Sequence, residues 1–292
     1  MSQQTVEAGG RTRTFTTVGT SARNLLLVFH GSTQNGRTHQ KFTDHSYDRL
    51  AEDGTAVVAY LDGFKGNWND ARRESRFPAR KNSIDDIAFT RAVVRKLAAS
   101  HGIDERRVFA AGYSNGGQMV MRLIHEAPGL LAGAAIFAST MPVPESFLAP
   151  TEPVVALPVL LAHGTADPIV PFDGGSMTWW KQKLFRVGGS SLSMPQTAAY
   201  FAERNGISTE PAVTRLPARE TTTYLERSEY RQDKRPLVVL YRIHGGGHTV
   251  PGSKDKPFVG RSNRDRTAAD LISELLEAPQ IEWQPDEQPS QS

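Results

Sequence analysis

Residues 107–126 read RVFAAGYSNGGQMVMRLIHE: a short apolar run, a serine set between glycines, and a helix-forming segment, with no spacer between them. The run has strand length, and residues 118–126 have helix character. A strand that turns straight into a helix is half of a strand–helix–strand unit, and such units make neighbouring strands parallel. This junction narrows the possible folds more than any other feature of the chain.

The same rhythm runs through the rest of the sequence. Residues 25–29 (LLLVF), 57–61, 134–137, 159–162 and 237–243 are further buried-strand candidates, and residues 85–100 and 196–205 carry helical patterns, the first with Ser83 as a possible cap. The expectation is an α/β fold with a mostly parallel, doubly wound sheet flanked by helices and a loop-rich cap segment. All 292 residues are read as one domain with a core over about 10–275. Residues 172–194 and 210–236 are loop-rich insertions, the second an edge hairpin or surface meander, and 279–292 form a polar tail.

Composition removes several function classes. The chain has no cysteine, which excludes disulfides, thiolate metal sites, iron–sulfur clusters and a cysteine nucleophile. A net charge of +3 over this length gives no reason to expect nucleic acid as a partner. The first 15 residues lack an apolar signal core and no run of about 18 apolar residues occurs, so a cytoplasmic protein with no membrane partner is expected. No His/Asp/Glu cluster has metal-ligand spacing and no glycine-rich loop matches a phosphate or dinucleotide pattern, so neither metal nor cofactor is expected.

In Gly112-Tyr113-Ser114-Asn115-Gly116 the strand-to-helix turn lifts Ser114 above the sheet at the positive end of a helix, a candidate nucleophile. A serine hydroxyl needs a base. Of eight histidines, His248 follows three glycines just after the last strand, a backbone bent to present one side chain. His244 is the competitor. His30 and His163 sit at strand ends before glycine and are expected to tie loops, whereas His39, His45, His101 and His125 are expected to be solvated. The base needs a carboxylate to fix its tautomer. Asp167 follows the strand at 159–162; Asp173 lies beyond Pro171, where turn chemistry alone explains it. An oxyanion would need two main-chain donors. Asn115 is the first candidate, and Ser32, with Thr33 as the fallback, the second.

Six motifs then occur in one order: Phe29-His30-Gly31-Ser32-Thr33-Gln34; Asp62-Gly63 with Asn67-Trp68-Asn69-Asp70; Asp85-Asp86; the Ser114 turn; residues 163–171 (HGTADPIVP); and residues 245–252 (GGGHTVPG). Over roughly residues 10–275 the chain resembles the esterase family of polyhydroxybutyrate depolymerases and feruloyl or acetylxylan esterases. The resemblance implies an α/β-hydrolase fold, with Ser114, Asp167 and His248 in that family's chain order, and cleavage of carboxylic esters through an acyl-enzyme. The expected substrate is a small or oligomeric ester, short-chain, 3-hydroxybutyrate-type or feruloyl. Many relatives have Cys where this chain has Ser32 and Trp where it has Val250. The first change spares a main-chain donor; the second implies a wider leaving-group side.

Trp68, Phe172, Trp179 and Trp180 are candidates for the substrate-pocket wall, with packing beneath a loop the competing reading. The basic run Arg72, Arg73, Arg76, Arg80 and Lys81 reads as a solvated surface, and Asp85 and Asp86 as helix-capping residues. A peptidase, thioesterase or acyltransferase could use the same three residues. A non-catalytic binding module would be expected to have lost at least one of them.

Overall fold

The computed structural model describes residues 1–176, 187–219 and 222–277. Its centre is a ten-stranded sheet in the order β1-β2-β4-β3-β5-β6-β7-β12-β11-β10. The six middle strands are β4 (Ala56–Leu61), β3 (Asn24–Phe29), β5 (Val108–Tyr113), β6 (Gly133–Phe137), β7 (Val159–Gly164) and β12 (Val238–His244), and all run parallel. Antiparallel pairs extend both edges, β1 (Ser2–Ala8) with β2 (Arg11–Val18) on one side, β10 (Ala212–Arg215) with β11 (Tyr224–Tyr230) on the other.

Alternation along β3 accounts for the two layers of core. Leu25, Leu27 and Phe29 join one cluster with Phe89, Val93 and Leu97 of α4 (Asp86–His101), Met119 and Leu123 of α5 (Asn115–Glu126), and Phe201 of α6 (Met194–Arg204). Leu26 and Val28 point the other way, against Phe42 of α1 (Gly36–Phe42), Leu50 of α2 (Asp48–Glu52) and Leu271 and Ile272 of α7 (Ala268–Glu277). Each fully buried Leu or Phe stabilises the fold by about 1.5–3 kcal/mol. Burial on both faces is why these strands read as continuous apolar runs.

Several elements depart from expectation. Residues 210–236 supply the β10–β11 pair, the hairpin reading of that insertion, and within the described part of the 172–194 excursion β8 (Gly175–Ser176) pairs with β9 (Ser190–Ser191). The cap of α4 is Asp85, whose carboxylate accepts from the Ala88 amide at 2.8 Å; Ser83 takes a left-handed φ of 46° and does not cap. Asp86 lies in the first turn of α4, where its charge suits the helix N-terminus, but it does not cap the helix. It is buried against Arg13 at 2.9 Å and accepts from the Asn69 amide. Among the described residues no helix is long and apolar enough to cross a membrane.

Candidate active site

The elbow is built as its sequence requires. β5 ends at Tyr113, Ser114 takes φ 53° and ψ −114°, and α5 begins at Asn115. A positive φ on a β-hydroxylated residue is strained, and it persists where the surroundings over-determine it. Gly116 and Gly112 do so here: a Cβ on Gly116 would stand 2.0 Å from the Phe29 carbonyl oxygen, and one on Gly112 2.3 Å from that of Gly116. The half-exposed hydroxyl of Ser114 therefore stands at the C-terminal edge of the sheet over the first turn of α5.

His248 arrives from the loop after β12. Its amide donates to Val259 at 2.6 Å and that of Gly247 to Arg261 at 2.8 Å, so residues 247–261 fold back on themselves. Gly247 permits this, since a Cβ there would lie 2.0 Å from the Val259 oxygen. His248 Nε2 is 2.9 Å from Ser114 Oγ, and Nδ1 is 2.6 Å from Asp167 Oδ2. The other carboxylate oxygen of Asp167 accepts from the amides of Ile169 at 2.7 Å and Val170 at 2.8 Å. Burial alone would raise this carboxyl, but His248 and His163 together hold it well below the usual carboxylate range. With an acceptor fixed at Nδ1, the imidazole carries its proton there and offers Nε2 to the serine. The three expected side chains thus form one hydrogen-bonded chain. His244 stands apart, stacked on Tyr224 at 4.2 Å.

Two partners of this chain escaped the sequence reading. His163, fully buried, donates from Nε2 to the Val170 carbonyl at 2.9 Å and sits 3.2 Å from Asp167 Oδ2, so it ties a loop as expected and also touches the carboxylate. Tyr113 donates its hydroxyl to the His248 carbonyl at 2.8 Å, with ring centroids 5.1 Å apart. Its position inside the elbow was the available signal.

The early loop separates the two candidate donors. The Thr33 amide donates to the Gly66 carbonyl at 2.8 Å, so the fallback is already engaged. The amides of Ser32 and Asn115 have no acceptor among the described residues. Asn115 is held by its side chain, which accepts from the Trp68 amide at 2.9 Å and donates to the buried Asp70 carboxylate. His30 pins the strand end: Nδ1 donates to Gly31 at 2.7 Å and Nε2 accepts from the Gly63 amide at 2.9 Å.

Trp68 is fully buried and donates its indole N–H to the His30 carbonyl at 2.9 Å, so it lies beneath the site, not in a pocket wall. Phe172 is nearly buried, edge-on to His163 at 5.9 Å, and also packs behind the site. Trp179 and Trp180 lie outside the described residues. Val250 is fully buried in the core layer with Leu271, so a smaller residue there does not widen the cleft. His39 and His125 are buried rather than solvated, held neutral by burial with pKa values lowered to about 3 and about 4. The basic run divides: Arg73, Arg76 and Lys81 are exposed as expected, whereas Arg72 pairs with Asp70 and Arg80 donates to main-chain carbonyls of the same loop.

Two spaces meet at Ser114. A cleft of about 790 Å³ runs past His248 and Ser32, with Phe77 and Ile169 among its walls. A side pocket of about 50 Å³, which His248 does not line, is bounded by Gln118, Ser139, Thr140, Pro142 and Ser190. Among the described residues no group of three or more His, Asp or Glu could hold a metal.

Known proteins resemble this chain in sequence and in fold. Residues 65–190 match the family model described as Phospholipase/Carboxylesterase. NocK of Nocardia uniformis subsp. tsuyamanensis, a protein named as an esterase, is 32% identical over 265 residues, which cover 87% of this chain and 74% of that protein. Feruloyl esterase B of Piromyces equi is 26% identical over 81% of this chain, but the match spans only 41% of its length. Among solved structures, an acetyl xylan esterase from Aspergillus awamori superposes with a TM-score of 0.55 over 86% of this chain and 95% of its own, at 17% identity, a likeness of fold. With these matches and this sheet, the chain belongs to the esterase family of the α/β-hydrolase fold.

Proposed function

We propose that the protein hydrolyses carboxylic esters of short acyl groups through an acyl-enzyme on Ser114. The observation that carries this reading is the hydrogen-bonded chain from Ser114 Oγ through His248 to Asp167. His248 Nε2 takes the hydroxyl proton as Oγ bonds to the ester carbonyl carbon, and Asp167 stabilises the imidazolium. The carbonyl oxygen becomes an oxyanion within reach of the Ser32 and Asn115 amides, donors worth about 10²–10³ each in rate. The carbon–oxygen bond to the alcohol then breaks and His248 returns the proton to that alcohol. Water repeats the sequence and releases the acid. The cleft beside His248 is wide enough to admit water, which favours hydrolysis over acyl transfer.

The two spaces divide the substrate. His248 must reach the leaving oxygen, so the alcohol portion lies in the large cleft that His248 lines, and the acyl chain turns into the side pocket that it does not. A space of about 50 Å³ holds three or four heavy atoms. That suits acetyl to butyryl and 3-hydroxybutyryl groups, the last helped by the hydroxyls of Ser139 and Thr140, and is too small for a feruloyl group. The test is a panel of acetyl, butyryl, octanoyl, feruloyl and 3-hydroxybutyryl esters, a peptide and a thioester, with Ser114→Ala alongside. Turnover of the short esters that Ser114→Ala abolishes without lowering the melting temperature is expected. Equal turnover by Ser114→Ala would overturn the mechanism, and preference for octanoyl or feruloyl esters the pocket assignment.

A further inference from the structure

The large cleft has a charge as well as a shape. Three of its lining residues are cationic, Lys65, Arg72 and Lys256, and none of the described ones is a carboxylate. A net charge of only +3 over the whole chain makes this a local feature. The three cations are not equivalent. Arg72 is neutralised by Asp70, the carboxylate that also holds Asn115. Lys65 and Lys256 have no carboxylate within 4.0 Å among the described residues, while Asp255, next to Lys256 in sequence, accepts from the Ser262 amide, and Asp44, close in sequence to Phe42, pairs with Lys254.

Each of these ammonium groups lies over an aromatic ring. Lys256 Nζ lies 4.4 Å from the centroid of Phe42, itself a cleft residue, and Lys65 Nζ lies 5.6 Å from that of Phe64. Lys256 belongs to the 247–261 loop that presents His248, and Lys65 precedes Gly66, whose carbonyl accepts from the Thr33 amide beside Ser32. The two charges thus belong to loops flanking the base and the candidate oxyanion donor. A low-dielectric cleft lined by one sign of charge concentrates ligands of the other sign.

We infer that the cleft selects esters whose alcohol portion carries a carboxylate, held by Lys65 and Lys256 while the leaving oxygen faces His248. This rests on the esterase reading above and deepens it by naming the alcohol side. The carboxylate takes no part in bond making, and its contribution is to binding and steering.

Two acetyl esters matched in shape separate the charge from the chemistry: 4-acetoxybenzoate, and 4-acetoxybenzamide as its neutral partner. The quantity read is the ratio of kcat/KM for the anionic over the neutral ester, in the wild type, Lys65→Gln, Lys256→Gln and the double variant. Both lysines are exposed, so the variants are expected to fold. Each single change should lower the ratio about threefold and the double change about tenfold, with kcat/KM for the neutral ester held, and high salt should erase the wild-type preference. A ratio unmoved in the double variant, or a loss shared equally by both esters, would overturn the inference while leaving the esterase standing. Failure of the folded wild type to cleave even the neutral ester would instead remove the esterase reading, and this inference with it.

Discussion

Replacing Asp167 by asparagine keeps the side chain's shape and removes one acceptor, and the surrounding donors decide which. Oδ1 accepts the amides of Ile169 and Val170 at 2.7 and 2.8 Å, so the asparagine carbonyl must stay there. Its NH2 group then takes the place of Oδ2, 2.6 Å from His248 Nδ1 and 3.2 Å from His163 Nε2. An amide nitrogen only donates, so His248 can meet it only by accepting at Nδ1. The imidazole proton moves to Nε2, facing Ser114, where it prevents the ring from acting as base. The expected loss is about 10⁴ in kcat, or about 5 kcal/mol of transition-state stabilisation. His163, committed to the Val170 carbonyl, gains an N–H facing an N–H, which costs roughly 1–3 kcal/mol of stability. Steady-state and burst kinetics on 4-nitrophenyl acetate near neutral pH measure the first effect, and chemical denaturation the second. KM should stay within a few fold, because Asp167 lies behind His248. An Asp167→Asn enzyme keeping more than a tenth of its kcat would refute the argument that the loop amides lock the tautomer.

Two further outcomes follow from buried groups. His30, His39 and His125 are held neutral chiefly by burial, with pKa values lowered from 6.5 to about 4, about 3 and about 4. The unfolded chain protonates them first, so the stability they contribute above about pH 6.5 is lost as pH falls toward 4, at up to about 1.4 kcal/mol per pH unit each. His125→Gln, distant from the cleft, should flatten the acid limb of a denaturation series by that slope; an unchanged limb would contradict the assignment. Gly116→Ala would put a methyl 2.0 Å from the Phe29 oxygen, so a cost on the order of 3 kcal/mol or more and a melting temperature lower by about 6 °C are expected. A melting temperature within a degree of wild type would mean that the elbow is looser than its contacts imply.

What the sequence disclosed and what it hid divide along the range of the forces involved. The elbow was legible because its constraints are local: strand, glycine, serine and helix follow one another over residues 108–126. Asp167 and His248 were legible for the same reason, each a polar residue just past a buried strand. Trp68, His39 and His125 were not, because burial comes from packing by distant segments and one residue's neighbours do not encode it. The β1–β2 hairpin carried a signal that went unread, Gly9-Gly10 between two strand-length segments, masked by the polarity of RTRTFTTV. The buried Arg13–Asp86 pair bridges 73 residues, and no spacing rule reaches that far.

The register of the sheet has a consequence for how such a molecule can change. Ser32, Ser114, Asp167 and His248 each sit just past the end of a parallel strand, and ladders such as Phe29 opposite Gly112 and Gly112 opposite Ile136 set their spacing. The lysines and Ser139 belong instead to loops outside that sheet, and Ser190 to the separate β8–β9 pair. Bond-making atoms are therefore spaced by the central sheet, and recognition atoms by the rim around it. Loops bearing other side chains could be exchanged at the rim, retuning which alcohol or acid is accepted, while the nucleophile and its base stay where the strands hold them.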